Sequence, residues 1–310
     1  MALHRPTGHW RLGLLLALAT AVLWATLPVA LQIALQRIDP WTLTWARFVF
    51  AALVLLAWLA LRGQLRGFRG QTGRRWLLLG LAGLLLVGNY LGYLLGLDLT
   101  TAANAQLLIQ AAPLLLALGG VWVFGERFSG GQWLGFATVA AGLGLFFADQ
   151  IAAVAVTAGS RYLWGSVLVL LGALVWAGYA LIQKQLLTHF TSTQVMAGIY
   201  ALASVLLFPL ADPARMACLE PVYLAALVFC ALNTLLAYGA FAEALAHSEA
   251  SRVSMVLACT PLLTVATVEV AHAFAPALVM PERIALLGWI GASLVVAGSA
   301  MTSVLGARRR

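Results

Sequence analysis

The sequence predicts an all-α integral membrane protein, with ten transmembrane helices arranged as two inverted five-helix repeats. Three observations carry that expectation. Of 310 residues, 63% are apolar and only 9% are charged, about a third of the charged share of a soluble domain. Apolar runs of about 18–25 residues, long enough to cross a hydrocarbon core, recur along the whole chain. Short motifs in the first half return in the same order in the second. With a mean hydropathy of +0.97, so few charges cannot cover a water-soluble surface. A soluble enzyme, a nucleic-acid binder and a disulfide-stapled secreted domain are therefore disfavoured.

The first run, 11–35, follows Arg5 and Arg11, and Ala17-Leu18-Ala19 resembles a signal-peptide cleavage site. The apolar stretch continues past it to Ala30, so an uncleaved first helix is expected. Asp39-Pro40 starts the second run, 41–61, and an Arg/Gly stretch over 62–75 ends it. The next runs, 75–97 and 101–124, are separated at Asp98 to Thr101, and Gly125-Glu126-Arg127 precedes 131–149. The second half repeats the pattern at 162–186, 192–210, 221–245, 249–274 and 284–305, with Asp212-Pro213 as a break. None of these runs alternates in stretches of about ten residues, as barrel strands would, so they are helices.

Orientation follows from Lys and Arg. With a cytoplasmic N-terminus, the inside set is Arg5, Arg11, Arg62, Arg66, Arg69, Arg74, Arg75, Arg127, Lys184, Arg252, Arg308, Arg309 and Arg310. The outside set is Arg37, Arg161, Arg215 and Arg283, and Arg47 lies within a span. Thirteen against four predicts both termini in the cytoplasm. The net charge of +8 is thus a topology signal with some contact to anionic lipid, and no nucleic-acid partner is expected.

The repeat is read from matched positions. Ala21-Val22-Leu23-Trp24-Ala25 resembles Ala173-Leu174-Val175-Trp176-Ala177, the two tryptophans lying 152 residues apart. Ala112-Pro113-Leu114-Leu115 matches Thr260-Pro261-Leu262-Leu263 at an offset of 148, which also relates Tyr90 to Tyr238. Glu126-Arg127 with Gln132-Trp133-Leu134-Gly135 matches Glu282-Arg283 with Gly288-Trp289-Ile290-Gly291. Five spans per half is an odd number, so the second copy enters the membrane upside down, the architecture of secondary transporters.

On these residues the chain resembles the EamA-type drug/metabolite transporter superfamily over about 11–305, as one repeat at 11–149 and a second, inverted one at 160–305. Within it the likeness is greatest to YddG-type exporters of amino acids, aromatic ones included, of the bacterial inner membrane. The resemblance implies a central cavity lined by the first, third, fourth, sixth, eighth and ninth helices, with the fifth and tenth packed together as scaffold. Proton-coupled small multidrug members carry a membrane-embedded Glu in the first helix. Here the first and sixth helices have no acid.

Polar and aromatic side chains at membrane depth mark a cavity, because unpaired polar groups facing lipid are costly. The candidates are Trp24, Asn89, Tyr90, Tyr93, Gln106, Gln110, Trp176, Tyr179, Asn233 and Tyr238. Trp24 and Trp176 lie too deep in their spans for an interfacial belt. Pro28, Pro113 and Pro261 are expected to kink their helices near mid-span, as hinges or as shapers of the cavity. Gly88, Gly92 and Gly96 recur every fourth residue, a close-packing seam. Two charges lie inside spans. Arg47 is expected to snorkel to the near rim, the alternative being a cavity position that attracts a carboxylate. Glu269, beside His272, is expected to be interfacial rather than a proton site.

No catalytic constellation is present. The five histidines are scattered, Cys218, Cys230 and Cys259 show no ligand spacing, and no phosphate-binding Gly-rich loop precedes a Lys-Ser/Thr pair. No metal, cofactor or enzyme activity is expected. The expected function is export of amino acids by alternating access, with small-molecule substrate and lipid bilayer as partners. The sequence leaves a monomer or an oligomer open. Alternatives are a carrier for another metabolite or cationic drug, and a membrane enzyme acting on lipid.

Overall fold

The computed structural model describes residues 7–100, 105–106, 108–154, 160–279 and 286–307. All regular structure among them is helical. The first half holds α1 (Trp10–Leu35), α2 (Pro40–Leu61), α3 (Gly73–Leu99), α4 (Ala111–Phe124) and α5 (Gly130–Val154). The second holds α6 (Ser160–Leu186), α7 (Ser192–Leu207), α8 (Pro221–His247), α9 (Ala250–Leu257), α10 (Thr260–Phe274) and α11 (Leu286–Ala307). Seven helical stretches of the described residues are long and apolar enough to cross a membrane, α9 and α10 counting as one. Ala111–Phe124 and Leu286–Gly298 are shorter apolar helices. The exterior carries exposed Leu15, Leu53, Leu77, Trp122, Leu171 and Phe274, a surface suited to acyl chains rather than water.

Local chemistry starts and stops the helices. The Asp39 carboxylate accepts from the Trp41 and Thr42 amides at 3.1 and 3.0 Å, and Pro40 follows it at the first helical position, where no N–H is needed. Thr191 and Gln194 form a capping box at α7. Gly125, at φ 66°, ends α4 in the left-handed region that glycine enters without strain.

The fourth and ninth apolar runs of the sequence are not continuous helices. Turns at 109–110 and at 258–259 separate α4 and α10 from the helical residues before them. Pro113 and Pro261 lie in the first turns of α4 and α10, where a missing N–H is tolerated. The backbone therefore breaks a few residues before each proline rather than kinking at it. Pro28, by contrast, is buried within the unbroken α1.

Lipid gives helices no hydrophobic drive to associate, so close packing of small residues holds them together. α5 lies along α11, and α3 along α6. A Cβ at Gly142 would meet the Gly291 carbonyl oxygen at 2.6 Å, and one at Gly298 would meet that of Gly135 at 2.7 Å. In the α3–α6 seam, a Cβ at Gly92 would sit 2.8 Å from the Leu168 carbonyl oxygen and one at Gly96 2.7 Å from that of Gly165, whereas Gly88 has room. Other pairings are α1 with α8, α2 with α7, α1 with α10 and α4 with α6.

Polar links define two rims. At one, Arg215 lies 3.5 Å from Asp39, Arg37 3.5 Å from Glu220, and the Asp212 amide donates to Thr42 Oγ1 at 2.8 Å. The end of α3 and the start of α6 join this rim through a core shared by Leu31, Leu43, Leu94, Leu97 and Val169. At the other rim, Thr7 Oγ1 bonds His247 Nδ1 at 2.7 Å, and Gln194 Nε2 donates to the Gln64 carbonyl at 2.8 Å. The Glu282-Arg283 motif lies outside the described residues.

Candidate functional site

A cavity enclosing about 680 Å³, its open mouth included, lies at mid-depth in the bundle. Trp24, Asn89, Tyr90, Tyr93, Gln106, Gln110, Pro113, Trp176 and Tyr238 all line it. They come from α1, α3, α4 with its preceding break, α6 and α8; Leu257 and Thr260, either side of the second break, complete it. From mid-depth the lining extends through Leu31, Tyr93, Leu94 and Gln106 toward the rim that carries Asp39.

The matched aromatics of the two halves meet at its centre. The Trp24 and Trp176 rings are 5.6 Å apart and T-shaped, and the Tyr90 and Tyr238 rings are 5.5 Å apart. Trp24 also lies 5.1 Å from Tyr238, and Phe48 backs Tyr90 at 4.5 Å. Such offset and edge-on contacts add about 0.5–1.5 kcal/mol each beyond burial. Polar anchors hold the lining elements. Asn89 Nδ2 donates to the Gly172 carbonyl at 3.1 Å across the glycine seam, and Tyr93 Oη donates to Gln106 Oε1 at 2.8 Å.

Two expected cavity residues sit behind the lining. Tyr179 is fully buried, its hydroxyl on Met196 Sδ at 3.5 Å and its ring 6.4 Å from Trp176. Asn233 Nδ2 donates to the Leu23 carbonyl at 2.5 Å, tying α8 to α1. Both face neighbouring helices because their rotation about the helix axis, which a uniformly apolar helix does not reveal, turns them there.

Arg47 overturns the snorkelling expectation. It is 1% exposed, lines the cavity, donates from Nε to Thr234 Oγ1 at 2.8 Å and lies over the Tyr90 ring at 4.6 Å. Among the described residues no carboxylate lies within ion-pair distance of it. The aromatic, partly polar cavity offers the guanidinium a better setting than lipid does. Glu269 is exposed on α10 and does not line the cavity, and His272 Nδ1 lies 2.7 Å from the Val279 carbonyl oxygen.

At the rim opposite Asp39, a buried ion pair not foreseen from the sequence closes the bundle. Lys184 Nζ donates to Glu126 Oε1 at 2.7 Å, with side chains 1% and 7% exposed. The same carboxylate accepts from the Ala250 and Ser251 amides at 2.9 and 3.0 Å, capping α9. Burial alone pushes the Glu126 carboxyl up, but the Lys184 ammonium and the Ser251 bonds outweigh it and hold it below the usual carboxylate value. Lys184 reads as a topology charge near a helix end; that it is the chain's one lysine among 18 basic residues was the available signal.

The model of the EamA-like transporter family matches residues 11–148 and 163–304. The chain is 36% identical over 298 residues to the "Uncharacterized inner membrane transporter YhbE" of Escherichia coli (strain K12), covering 96% of this chain and 92% of that one. It is 34% identical over 294 residues to an "Uncharacterized transporter" of Haemophilus influenzae, covering 94% and 95%. One solved crystal structure superposes with a TM-score of 0.72 at 20% identity, covering 96% of this chain and 98% of that one, a likeness of fold.

Proposed function

The chain belongs to the EamA-like transporter family, and from that premise we propose that it exports amino acids, aromatic ones included, across the bacterial inner membrane by alternating access. The observation that carries the proposal is the central cavity, to which both halves contribute matched aromatics. Its lining is apolar and aromatic with a few polar groups, the composition that suits a small molecule with one polar end.

We further read the halves, 11–149 and 160–305, as inverted five-helix repeats that give ten spans. Exchanging each helix with its counterpart supports this. The α3–α6 pair becomes α8–α1, α1–α10 becomes α6–α4, and α2–α7 and α5–α11 map onto themselves. The breaks before Pro113 and Pro261 fall at matched positions, and discontinuous helices of this kind surround midplane sites in secondary transporters. The basic bias supports cytoplasmic termini, with the Glu126 rim cytoplasmic and the cavity facing the opposite side in this conformation. Alternation then requires the Glu126–Lys184 pair to part while the Asp39 rim closes. The relatives named as inner membrane transporters support the location.

The test is uptake of a labelled amino-acid panel into liposomes that hold the purified protein. Saturable, counter-transportable uptake of phenylalanine or tryptophan is expected. Movement of other metabolites with none of any amino acid would refute the assignment.

A further inference from the structure

We infer that the Arg47 guanidinium is the carboxylate-binding subsite of the cavity and that Gln110 Oε1 receives the substrate's ammonium. The inference rests on the transport reading above and limits its cargo to molecules that bear a carboxylate.

Two contacts fix the plane of the guanidinium. Nε donates to Thr234 Oγ1 at 2.8 Å, and the Tyr90 ring lies 4.6 Å from the central carbon. Thr234 Oγ1 itself donates to the Cys230 carbonyl at 2.8 Å, which leaves its lone pairs aimed at Arg47. Nη1 and Nη2 make no hydrogen bond or ion pair among the described residues. An arginine keeps its charge under all physiological conditions, and an isolated buried charge is strongly unfavourable. The two open nitrogens form a planar fork whose spacing matches the two oxygens of a carboxylate.

Gln110 supplies the complementary feature. It sits at the break before α4, is 3% exposed, and its Oε1 has no hydrogen-bond partner among the described residues. A buried carbonyl oxygen without a donor is costly, and an ammonium is a strong donor. The cavity wall thus holds a positive fork and, in Gln110 Oε1 and Tyr90 Oη, two oxygens without a partner among the described residues, with the faces of Trp24, Trp176 and Tyr238 between helices of both halves for an apolar or aromatic side chain. A cationic drug would meet the fixed positive charge with no carboxylate among the described lining residues to balance it. A decarboxylated amine would leave the fork empty.

The experiment uses the full chain in liposomes and four labelled probes: phenylalanine, phenylalaninamide, 2-phenylethylamine and 3-phenylpropionate. Wild type is expected to move phenylalanine at least about a hundredfold faster than the amide or the amine, the scale set by losing a buried charge-paired contact. 3-Phenylpropionate is expected to outpace both as well. Arg47→Gln should erase the preference for acids, and Arg47→Lys should restore part of it. Equal movement of acid and amide by wild type, or an unchanged preference in Arg47→Gln, overturns the inference. The wild-type comparison stands even where a variant folds poorly. Movement of phenylpropionate without any amino acid defeats the amino-acid reading and leaves the Arg47 subsite standing. No movement of any probe overturns both.

Discussion

The Glu126–Lys184 pair gives the sharpest prediction about the closed rim. Its atoms are 2.7 Å apart, with both side chains almost fully covered. Removing one partner of such a pair leaves an uncompensated buried charge, which costs about 3–5 kcal/mol. The two removals are not equivalent. Glu126→Gln strands the Lys184 ammonium, whose remaining contacts are the Ser248 carbonyl at 3.5 Å and the Phe124 ring at 5.1 Å. It also turns an amide group toward the Ala250 or Ser251 N–H that the carboxylate now accepts from. Lys184→Met leaves the carboxylate with both backbone donors at the start of α9, so its expected cost is smaller, about 2 kcal/mol. The double variant contains no stranded charge and should be more stable than the sum of the singles implies, by about 1–3 kcal/mol. Graded denaturation in mixed detergent micelles measures all four proteins. Additive single effects would refute the reasoning. The pH dependence has a definite sign. Because the Glu126 pKa lies below its ordinary 4.5, the pair's contribution is fully present above that value and is lost as pH falls through the lower folded value. In Lys184→Met, burial becomes the leading influence, so the loss should begin at a higher pH.

Three further outcomes are expected. Cys218 is exposed on the rim that carries Asp39, whereas Cys230 is buried; a membrane-impermeant maleimide should label Cys218 in intact cells, and labelling only after permeabilisation would reverse the topology. A Cβ at Gly96 would press on the Gly165 carbonyl at 2.7 Å, while one at Gly88 would meet Val175 at an ordinary 3.7 Å. Gly96→Ala should therefore lower stability by about 1–3 kcal/mol and Gly88→Ala should leave it unchanged or raise it slightly, as thermal denaturation in detergent will show. Glu269 is exposed and does not line the cavity, so Glu269→Gln should leave transport and its pH profile unchanged. A zwitterion should then run down its own gradient without net current, and accumulation driven by a pH gradient and abolished by that substitution would overturn this.

What could be read from the sequence, and what could not, follows from the kind of information each feature leaves. Spans such as Trp10–Leu35 and Pro221–His247 are set by length and polarity, and both are linear quantities. Trp24 with Trp176, and Tyr90 with Tyr238, were legible because each motif occurs twice. They meet at the cavity centre, where the proposed exchange of the two halves would place matched positions. The prolines were legible as disruptions, but the place where the backbone breaks depends on which turn begins a new helix. Arg47 was misjudged, and the ion pair of Lys184 missed, for a different reason. Sequence gives the depth of a residue in a span, while its azimuth depends on which neighbours surround it, and helices apolar on all sides carry no stripe from which to read that. Arg47 has a second property that hides it from a repeat search. At the offsets that relate the other pairs, the second half has Val195, Met196, Ala197, Gly198 and Ile199, and none is charged. A framework built from two equivalent halves can switch between two equivalent states, but it offers no reason to bind cargo one way round. On the proposal above the guanidinium breaks that equivalence, being a lining residue whose counterpart positions carry no charge.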